Sequence, residues 1–331
     1  SNDGTQPWKF YAKPFTGEVT LPRIAIIIKG LGFSKAATIA AINHTPSSVT
    51  LAFDPYAKGV GNWVGLARSA GHETLISLPM EPLDFPASDP GPFALQTNLS
   101  SSENINRLHF LLSVSMGNVG LLKMMGSNFV ASEQALMPIL KEIKNRGLIM
   151  IDDGSTKNSQ IIRIGSNIEL PQARGDIFID ADPSRGGVAN GLVELEKIAR
   201  KNKRAVGIAR SLPNTISLIM AWTKTLGRKK IALAPVSAVV KIERKAKATP
   251  KPNIPINGPL TPPSTAASII KEPMTGPVHE NETKASVNAI KKTPKSPPLS
   301  ALESILLIHE AGNLISNAPK KLTANIANIK K

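Results

Sequence analysis

The chain has 331 residues, 41% of them apolar, and a formal net charge of +16 at pH 7. This apolar content is sufficient for a hydrophobic core, but no stretch approaches the roughly 20 continuous apolar residues of a membrane-spanning helix. The lack of cysteine excludes a disulfide framework and a cysteine-ligated zinc site. Because the sequence opens with Ser1 rather than Met, we expect that an export signal or membrane anchor has been removed.

Residues 1–21 mix glycine, proline and aromatic side chains without a regular period, which predicts an N-terminal arm packed on the following domain. From residue 22 to residue 240, short apolar runs alternate with segments of helical period, and this alternation indicates a parallel sheet with right-handed crossovers. The runs predicted as strands are residues 24–28, 49–53, 74–78, 119–122, 148–151, 176–179, 205–208 and 231–234. The pattern therefore predicts an α/β fold, a single distorted (β/α) barrel-like domain of about seven to eight strands.

Helix ends support this reading. Ser132 is predicted to cap a helix whose apolar face is Leu136, Ile139, Leu140 and Ile143. A second apolar face is formed by Val188, Leu192, Leu195 and Ala199. Three glycines follow a helical run and precede a strand, which favours a left-handed residue at each helix end; they are Gly71, Gly147 and Gly227.

Residues 241–331 have a different composition, with 14 Lys or Arg against 6 Asp or Glu and with clustered prolines. They are predicted to form a largely disordered basic tail, because so little apolar surface cannot offset the entropy of ordering. Ser300 and Glu303 have capping-box spacing, so a short helix over residues 300–316 is an alternative there. Such a tail suits an envelope protein, anionic lipid or an acidic polymer, whereas the lack of interleaved aromatics argues against nucleic acid.

In a parallel α/β barrel, the active site lies at the carboxyl ends of the strands. The residues expected there are Lys29, Gly30, Asp54, residues 77–81, 123–127 and 152–155, Asp180, Asp182 and residues 209–211. No two of the five histidines have metal-ligand spacing. The sequence has neither a dinucleotide-binding glycine motif nor a phosphate-binding Walker loop nor a nucleophile elbow.

Several short motifs occur in a consistent order from about residue 23 to residue 237. They are Lys29-Gly30-Leu31-Gly32, Gly71-His72-Glu73, Leu78-Pro79-Met80-Glu81-Pro82, Asp89-Pro90-Gly91-Pro92, Met125-Gly126-Ser127, Asp152-Asp153-Gly154-Ser155 and Asp176-Ile177-Phe178-Ile179-Asp180. Each motif is weak by itself, but together they resemble the divergent polysaccharide deacetylase family.

The resemblance implies removal of an acetyl group from an amino sugar, with a divalent metal such as zinc held by Asp and His side chains. It also implies a carboxylate base and a histidine acid. This sequence departs from the family pattern at the metal, because Lys29 and Gly30 replace an Asp pair, Met124 replaces a histidine and Arg210 replaces a second histidine. Ser77 stands where some members have a histidine. These replacements cannot ligate zinc, so we expect no metal cofactor.

The residues that remain define two groups at the expected mouth. The candidate catalytic acids are Glu81, Asp152, Asp153 and Asp180. The candidate ligand-binding residues are Lys29, Ser77, Lys123, Ser127, Ser155 and Arg210. The alternative to acid–base work is a structural charge network in which the acids pair with Lys29, Lys123, Arg174 and Arg210.

Three functions therefore compete. The first is a degenerate deacetylase-like protein of envelope carbohydrate metabolism that binds an anionic or N-acetylated glycan or a protein partner. The second is an active de-N-acetylase that uses the residual acids, and the third is an interaction protein that works through its tail. The resemblance further implies a periplasmic protein, or one anchored in the inner membrane and facing the periplasm.

Overall fold

The computed structural model describes residues 5–18 and 20–242, which form one compact unit. The tail predicted from residue 241 onward, with its possible helix over residues 300–316, lies outside the described residues apart from its first two positions. In the part of the chain that the structure describes, no helix is both long and apolar enough to cross a bilayer.

The centre of the domain is a curled sheet in which every strand pairing is parallel. Its strands are β1 (Arg23–Leu31), β2 (Thr50–Phe53), β3 (Thr74–Met80), β4 (Gly120–Met125), β5 (Ile149–Asp152), β6 (Gln172–Arg174), β7 (Ile177–Phe178), β8 (Arg204–Arg210) and β9 (Ala232–Leu233). Eight of them follow the order β6-β5-β4-β3-β2-β1-β8-β7, and β9 pairs with the start of β1. The predicted barrel-like α/β fold is confirmed as a half-barrel.

The helix α1 (Pro7–Phe10) precedes the sheet. The other helices connect the strands and cover one face of the sheet, and they are α2 (Lys35–His44), α3 (Val60–Ser69), α4 (Ser101–Ser113), α5 (Glu133–Asn145), α6 (Ile161–Asn167), α7 (Arg185–Asn202) and α8 (Pro213–Thr223). Short 3₁₀ turns occur at Phe129–Ala131 and Val236–Ala238.

The two faces of β1 explain the continuous apolar run in the sequence. Ile24, Ile26 and Ile28 belong to the core between sheet and helices, whereas Ala25 and Ile27 belong to a second cluster inside the curl of the sheet. Because both faces of a parallel strand are buried, its sequence is apolar throughout rather than alternating.

The run predicted as a strand at residues 176–179 contains β7, which is shorter than predicted, whereas β6 directly before it was not predicted. β6 pairs with β5 and β7 pairs with β8, so these neighbouring segments of the chain reach opposite edges of the sheet. Gly175 lies in the crossing, where a Cβ atom would come within 2.7 Å of the Asp153 carbonyl oxygen. The glycine therefore permits the close approach that curls the sheet, and a three-residue strand is too short to show a period in sequence.

Most of the predicted helix ends are confirmed. The Ser132 side chain accepts a hydrogen bond from the Ala135 amide, and Gly71 and Gly147 have positive φ angles of 85° and 64°. The prediction for Gly227 is wrong, because α8 already ends at Thr223 and the left-handed residue before β9 is Lys230, with φ of 52°. The intervening residues form turns rather than helix.

Residues 5–18 run across the amino ends of the strands. The Trp8 amide donates to the carbonyl of Gly147, just before β5, and the Lys13 amide donates to the Glu73 carboxylate, just before β3. Trp8, Tyr11 and Phe15 pack against the cluster inside the curled sheet. These side chains therefore cover the end of the half-barrel opposite the expected site.

Candidate functional site

A cavity of about 310 Å³ opens at the carboxyl ends of the strands. Lys29 and Arg210 are register partners on neighbouring strands β1 and β8, which brings both side chains to this opening. The full lining is Lys29, Gly30, Asp54, Ser77, Lys123, Met124, Arg210, Ser211 and Leu212. Polar and apolar groups thus meet in one opening, which is the usual composition of a small-ligand site.

Lys123 and Asp153 form the buried centre of the site. The Lys123 Nζ atom lies 2.9 Å from Asp153 Oδ1, and neither side chain is more than 2% exposed. Lys29 Nζ lies 3.3 Å from the other carboxylate oxygen, Oδ2, and 4.9 Å from the centre of the Phe178 ring. Both oxygens of Asp153 are therefore engaged by an ammonium group.

Hydroxyl groups complete the surroundings of Lys123. Its ammonium donates to Ser155 Oγ at 2.8 Å and to Thr156 Oγ1 at 2.9 Å. Ser155 in turn donates from its hydroxyl to Asp153 Oδ1. The buried lysine thus has the partners that a charge needs when it is removed from water.

The ionisation of Asp153 follows from these contacts. Burial alone raises the pKa of this carboxyl group, but the nearby charges of Lys123 and Lys29 and the hydrogen bonds of Lys123 and Ser155 outweigh it. The pKa of Asp153 is therefore lowered below its ordinary value, and the group is an anion at neutral pH.

Asp152, the preceding residue, is bound differently. Its Oδ1 atom accepts from the Gly154 amide at 3.1 Å and lies 3.9 Å from Lys123 Nζ. Its Oδ2 atom is buried and has no hydrogen-bond partner in the described part of the chain. A buried carboxylate oxygen without a hydrogen-bond partner is unusual in folded proteins. The end of β5 therefore carries one hydrogen-bond acceptor that the described residues leave unsatisfied.

Asp180 and Arg210 form a second ion pair beside the first. Asp180 Oδ2 accepts from the Arg210 amide at 2.9 Å and lies 3.4 Å from the guanidinium Nε atom. The Thr215 hydroxyl also donates to Oδ2, at 3.2 Å. The carboxylate is 1% exposed and the arginine 47%, so solvent at the mouth meets the cation of this pair.

Glu81, the fourth predicted acid, belongs to a separate cluster. Its carboxylate accepts from the amide and hydroxyl of Thr97 and from the side-chain amide of Asn128. Burial raises the pKa of Glu81, yet these hydrogen bonds outweigh it and hold the pKa below its ordinary value. The four predicted acids therefore occupy three different hydrogen-bonded clusters rather than one.

The predicted ligand-binding residues divide in the same way. Lys29, Ser77, Lys123 and Arg210 line the cavity. Ser155 instead supports Lys123 from outside that lining, and the Ser127 hydroxyl accepts from the Leu83 amide. The geometry brings together the cations and Ser77, while the remaining two serines have structural hydrogen bonds.

Asp54 is the carboxylate that lines the cavity. It is not one of the four candidate catalytic acids predicted from the sequence. Burial raises the pKa of this group, opposed by a hydrogen bond from the Tyr56 amide. The sequence does indicate this location, because Asp54 directly follows β2 and is therefore among the residues expected at the carboxyl ends of the strands.

Histidines are engaged elsewhere in the fold. Both ring nitrogens of buried His72 lie within hydrogen-bond distance of backbone oxygens, those of Val49 and Ile42. His109 pairs with Glu142 between α4 and α5. Among the described residues, no group of three His, Cys, Asp or Glu side chains has the arrangement of a metal site.

A sequence profile of the divergent polysaccharide deacetylase family matches residues 26–240. The chain belongs to this family. The match confirms the resemblance seen in the motifs, and it spans the curled sheet from Ile26 in β1 onward.

Three relatives match between 62% and 72% of this chain. The crystal structure of uncharacterized protein ATU2773 from Agrobacterium tumefaciens C58 is 34% identical, covers 72% of this chain and 97% of its own, and superposes with a TM-score of 0.71. An uncharacterized protein of Haemophilus influenzae is 24% identical over 204 residues, which is 62% of this chain and 72% of the relative. Uncharacterized protein YibQ of Escherichia coli K12 is 21% identical over 240 residues, covering 72% of this chain and 74% of the relative.

Proposed function

We propose that this member of the divergent polysaccharide deacetylase family acts in envelope carbohydrate metabolism as a glycan-binding protein rather than as a metal-dependent deacetylase. The observation that carries the proposal is the Lys29–Asp153–Lys123 arrangement. Two ammonium groups occupy the two oxygens of the buried carboxylate at the carboxyl ends of the strands, next to an open cavity.

The donor set at the mouth does not fit a divalent metal. Gly30 offers no side-chain ligand, Met124 offers a soft thioether, and Arg210 is a cation that is already bound to Asp180. Zinc prefers imidazole, thiolate and free carboxylate ligands. The charges of Lys29 and Lys123 would also repel a divalent cation from Asp153.

The same charges favour a glycan that carries carboxylate or phosphate groups. The acids of both ion pairs are 2% exposed or less, whereas the Lys29 side chain is 25% exposed and Arg210 is 47% exposed. A ligand entering the cavity therefore meets the Lys29 and Arg210 cations at the mouth, with Ser77, the Asp54 carboxylate and Leu212 in the same lining. Leu212 is available to the apolar face of a sugar ring. Family resemblance supports a periplasmic location, either free or anchored in the inner membrane.

Calorimetric titration of the full chain tests this proposal. A tetragalacturonate probe carries carboxylates, and a chitotetraose probe is neutral and N-acetylated. We expect binding of the acidic probe, about ten-fold weaker binding in Lys29→Gln, and no change in the control Lys58→Gln, because Lys58 is exposed outside the cavity lining. No heat with either probe, or equal loss in both variants, would overturn the proposal, and stoichiometric zinc binding would overturn the metal-free site.

An active de-N-acetylase is the second candidate, and Asp54 favours it. This carboxylate lines the cavity, and burial raises its pKa toward the range of an acid–base group. Release of acetate from chitotetraose that disappears in Asp54→Asn would support catalysis. Absence of acetate release at high protein concentration would remove this candidate.

A further inference from the structure

The amino-end face is the end of the domain opposite the cavity, where the strands begin. Two adjoining cavities of about 470 and 490 Å³ lie there and share Arg204 and Val239 in their linings. The cations that line them are Arg23, Arg174, Lys203, Arg204 and Lys241. Arg174 is the last residue of β6 and donates to the Thr156 carbonyl, so the other four are the lining cations that belong to the amino-end face. Within the described residues, Asp176 is the one acid in either lining, and it interacts with Arg204 and Arg174.

The cationic surface extends beyond the cavities. The end of α7 and the turn before β9 are tied together, because Arg200 donates to the Lys229 carbonyl at 2.8 Å. These two segments add the cations Arg200, Lys201, Arg228, Lys229 and Lys230. Among the described residues, Glu196 is paired with Lys229 at 2.5 Å, Glu18 accepts from the Thr20 hydroxyl, and Glu169 is exposed in the turn before β6. The described cations named above outnumber these acids and Asp176, so the described part of this surface is cationic.

Two exposed apolar side chains border the same face. Phe10 is 64% exposed and ends α1, which is held to the backbone before β5 through Trp8. Ile242 is 42% exposed and follows Lys241, whose backbone pairs with the first residue of β6. Each residue directly follows a lysine in the sequence, Lys9 and Lys241 respectively. Both side chains are more exposed than phenylalanine and isoleucine usually are.

We propose that the amino-end face docks on a bilayer surface that carries anionic phospholipid headgroups. Cations attract such a surface within about one Debye length, roughly 8–10 Å, and apolar side chains beside them enter the boundary between headgroups and acyl chains. A soluble polyanion would engage the cations but would gain nothing from Phe10 and Ile242. Docking in this orientation leaves the cavity at the other end of the domain directed away from the membrane.

Co-sedimentation of the full chain with vesicles measures the effect. The vesicles contain phosphatidylcholine alone or with about 30% phosphatidylglycerol, at low salt and at about 0.5 M NaCl. We expect binding to the anionic vesicles at low salt only. The triple variant Lys201→Glu, Arg228→Glu and Lys241→Glu should lower the partition coefficient at least about ten-fold.

A matched control reverses three exposed lysines that follow strands β1, β2 and β5 at the cavity end, Lys35→Glu, Lys58→Glu and Lys157→Glu. This control has the same net charge as the first triple variant, and both variants keep the basic residues after position 242. Neither property can therefore explain a difference in binding between them. Circular dichroism would check that both triple variants are folded.

Phe10→Ser provides a variant with unchanged charge, and we expect it to reduce binding while leaving the salt dependence as it is. Equal loss in the two triple variants would overturn the proposal. Binding to polyphosphate without sedimentation on anionic vesicles would overturn it as well.

Discussion

Lys123 is a lysine with a side chain that is 0% exposed, a burial that lysine seldom has unless its charge is paired. Asp153 supplies the counter-charge. Ser155 and Thr156 accept the remaining hydrogen bonds that the Lys123 ammonium donates. The charge and the hydrogen bonds of Lys123 are thus satisfied within the fold, which is why the cation is stable in this buried position, directly before Met124.

The Lys123→Met variant leaves Asp153 buried with Lys29 as its remaining cation. We expect it to lower the free energy of unfolding by about 3 kcal/mol at neutral pH, because a buried charge loses its main partner. The lowered pKa of Asp153 means that the stabilisation is present above the ordinary carboxyl pKa and is lost as pH falls through the folded value. Urea unfolding at several pH values measures this difference, which should shrink in acid.

The double variant Lys123→Met with Asp153→Asn is the control for that prediction. It removes both charges, so it should recover part of the stability lost in Lys123→Met. If Asp153→Asn destabilises the Lys123→Met variant as much as it destabilises the parent protein, the two side chains are not coupled and the prediction is contradicted.

At the scale of elements, Glu73 joins three parts of the domain just before β3. Its carboxylate, only 1% exposed, accepts from the Lys13 amide of the N-terminal arm and from the amide and hydroxyl of Ser237 near the end of the domain. Burial raises the pKa of Glu73 despite these hydrogen bonds. One carboxylate thus connects the arm, the sheet and the turn after β9.

The raised pKa of Glu73 predicts a pH dependence with a definite sign. The folded state favours the protonated carboxyl, so this group's contribution is present below its ordinary pKa and is lost as pH rises through the folded value. Glu73→Gln does not titrate, and its stability relative to the parent should therefore increase as pH rises from about 4 to about 7. A stability difference that is constant across this range in urea unfolding would contradict the prediction.

The crossing between β6 and β7 depends on the size of one residue. In Gly175→Ala the new Cβ would lie 2.7 Å from the Asp153 carbonyl oxygen and 2.8 Å from Ile208 Cγ1, and neither neighbour can move freely within the sheet. We expect a loss of about 2 kcal/mol, measured by urea unfolding. Gly65→Ala in α3 is the control, since no atom lies within 4 Å of its added Cβ and it should gain about 0.5–1 kcal/mol.

At the scale of the whole molecule, the two ends of the sheet differ in chemistry. The carboxyl ends hold the buried ion pairs and the cavity, while the amino ends hold the arm and the cationic face. A parallel sheet makes this separation possible because all its strands run in the same direction, so each end collects a different set of loops.

The sequence by itself determined the fold class and the positions of most strands, and it predicts the loss of the family's metal ligands. Apolar runs such as residues 24–28 are long enough to require burial on both faces. Lys29, Gly30 and Met124 lack the imidazole and carboxylate groups that zinc prefers, which is the basis of the prediction about the metal. Tertiary structure alone decided which acids share a site. Asp153 and Asp180 reach the mouth as bound counter-ions, Glu81 turns to Thr97, and Asp54 lines the cavity. The position of a residue just before or just after a predicted strand decides which end of the sheet it occupies. Its side-chain partners depend on the curl of the sheet and on the packing of distant loops, for which a single sequence carries no local signal.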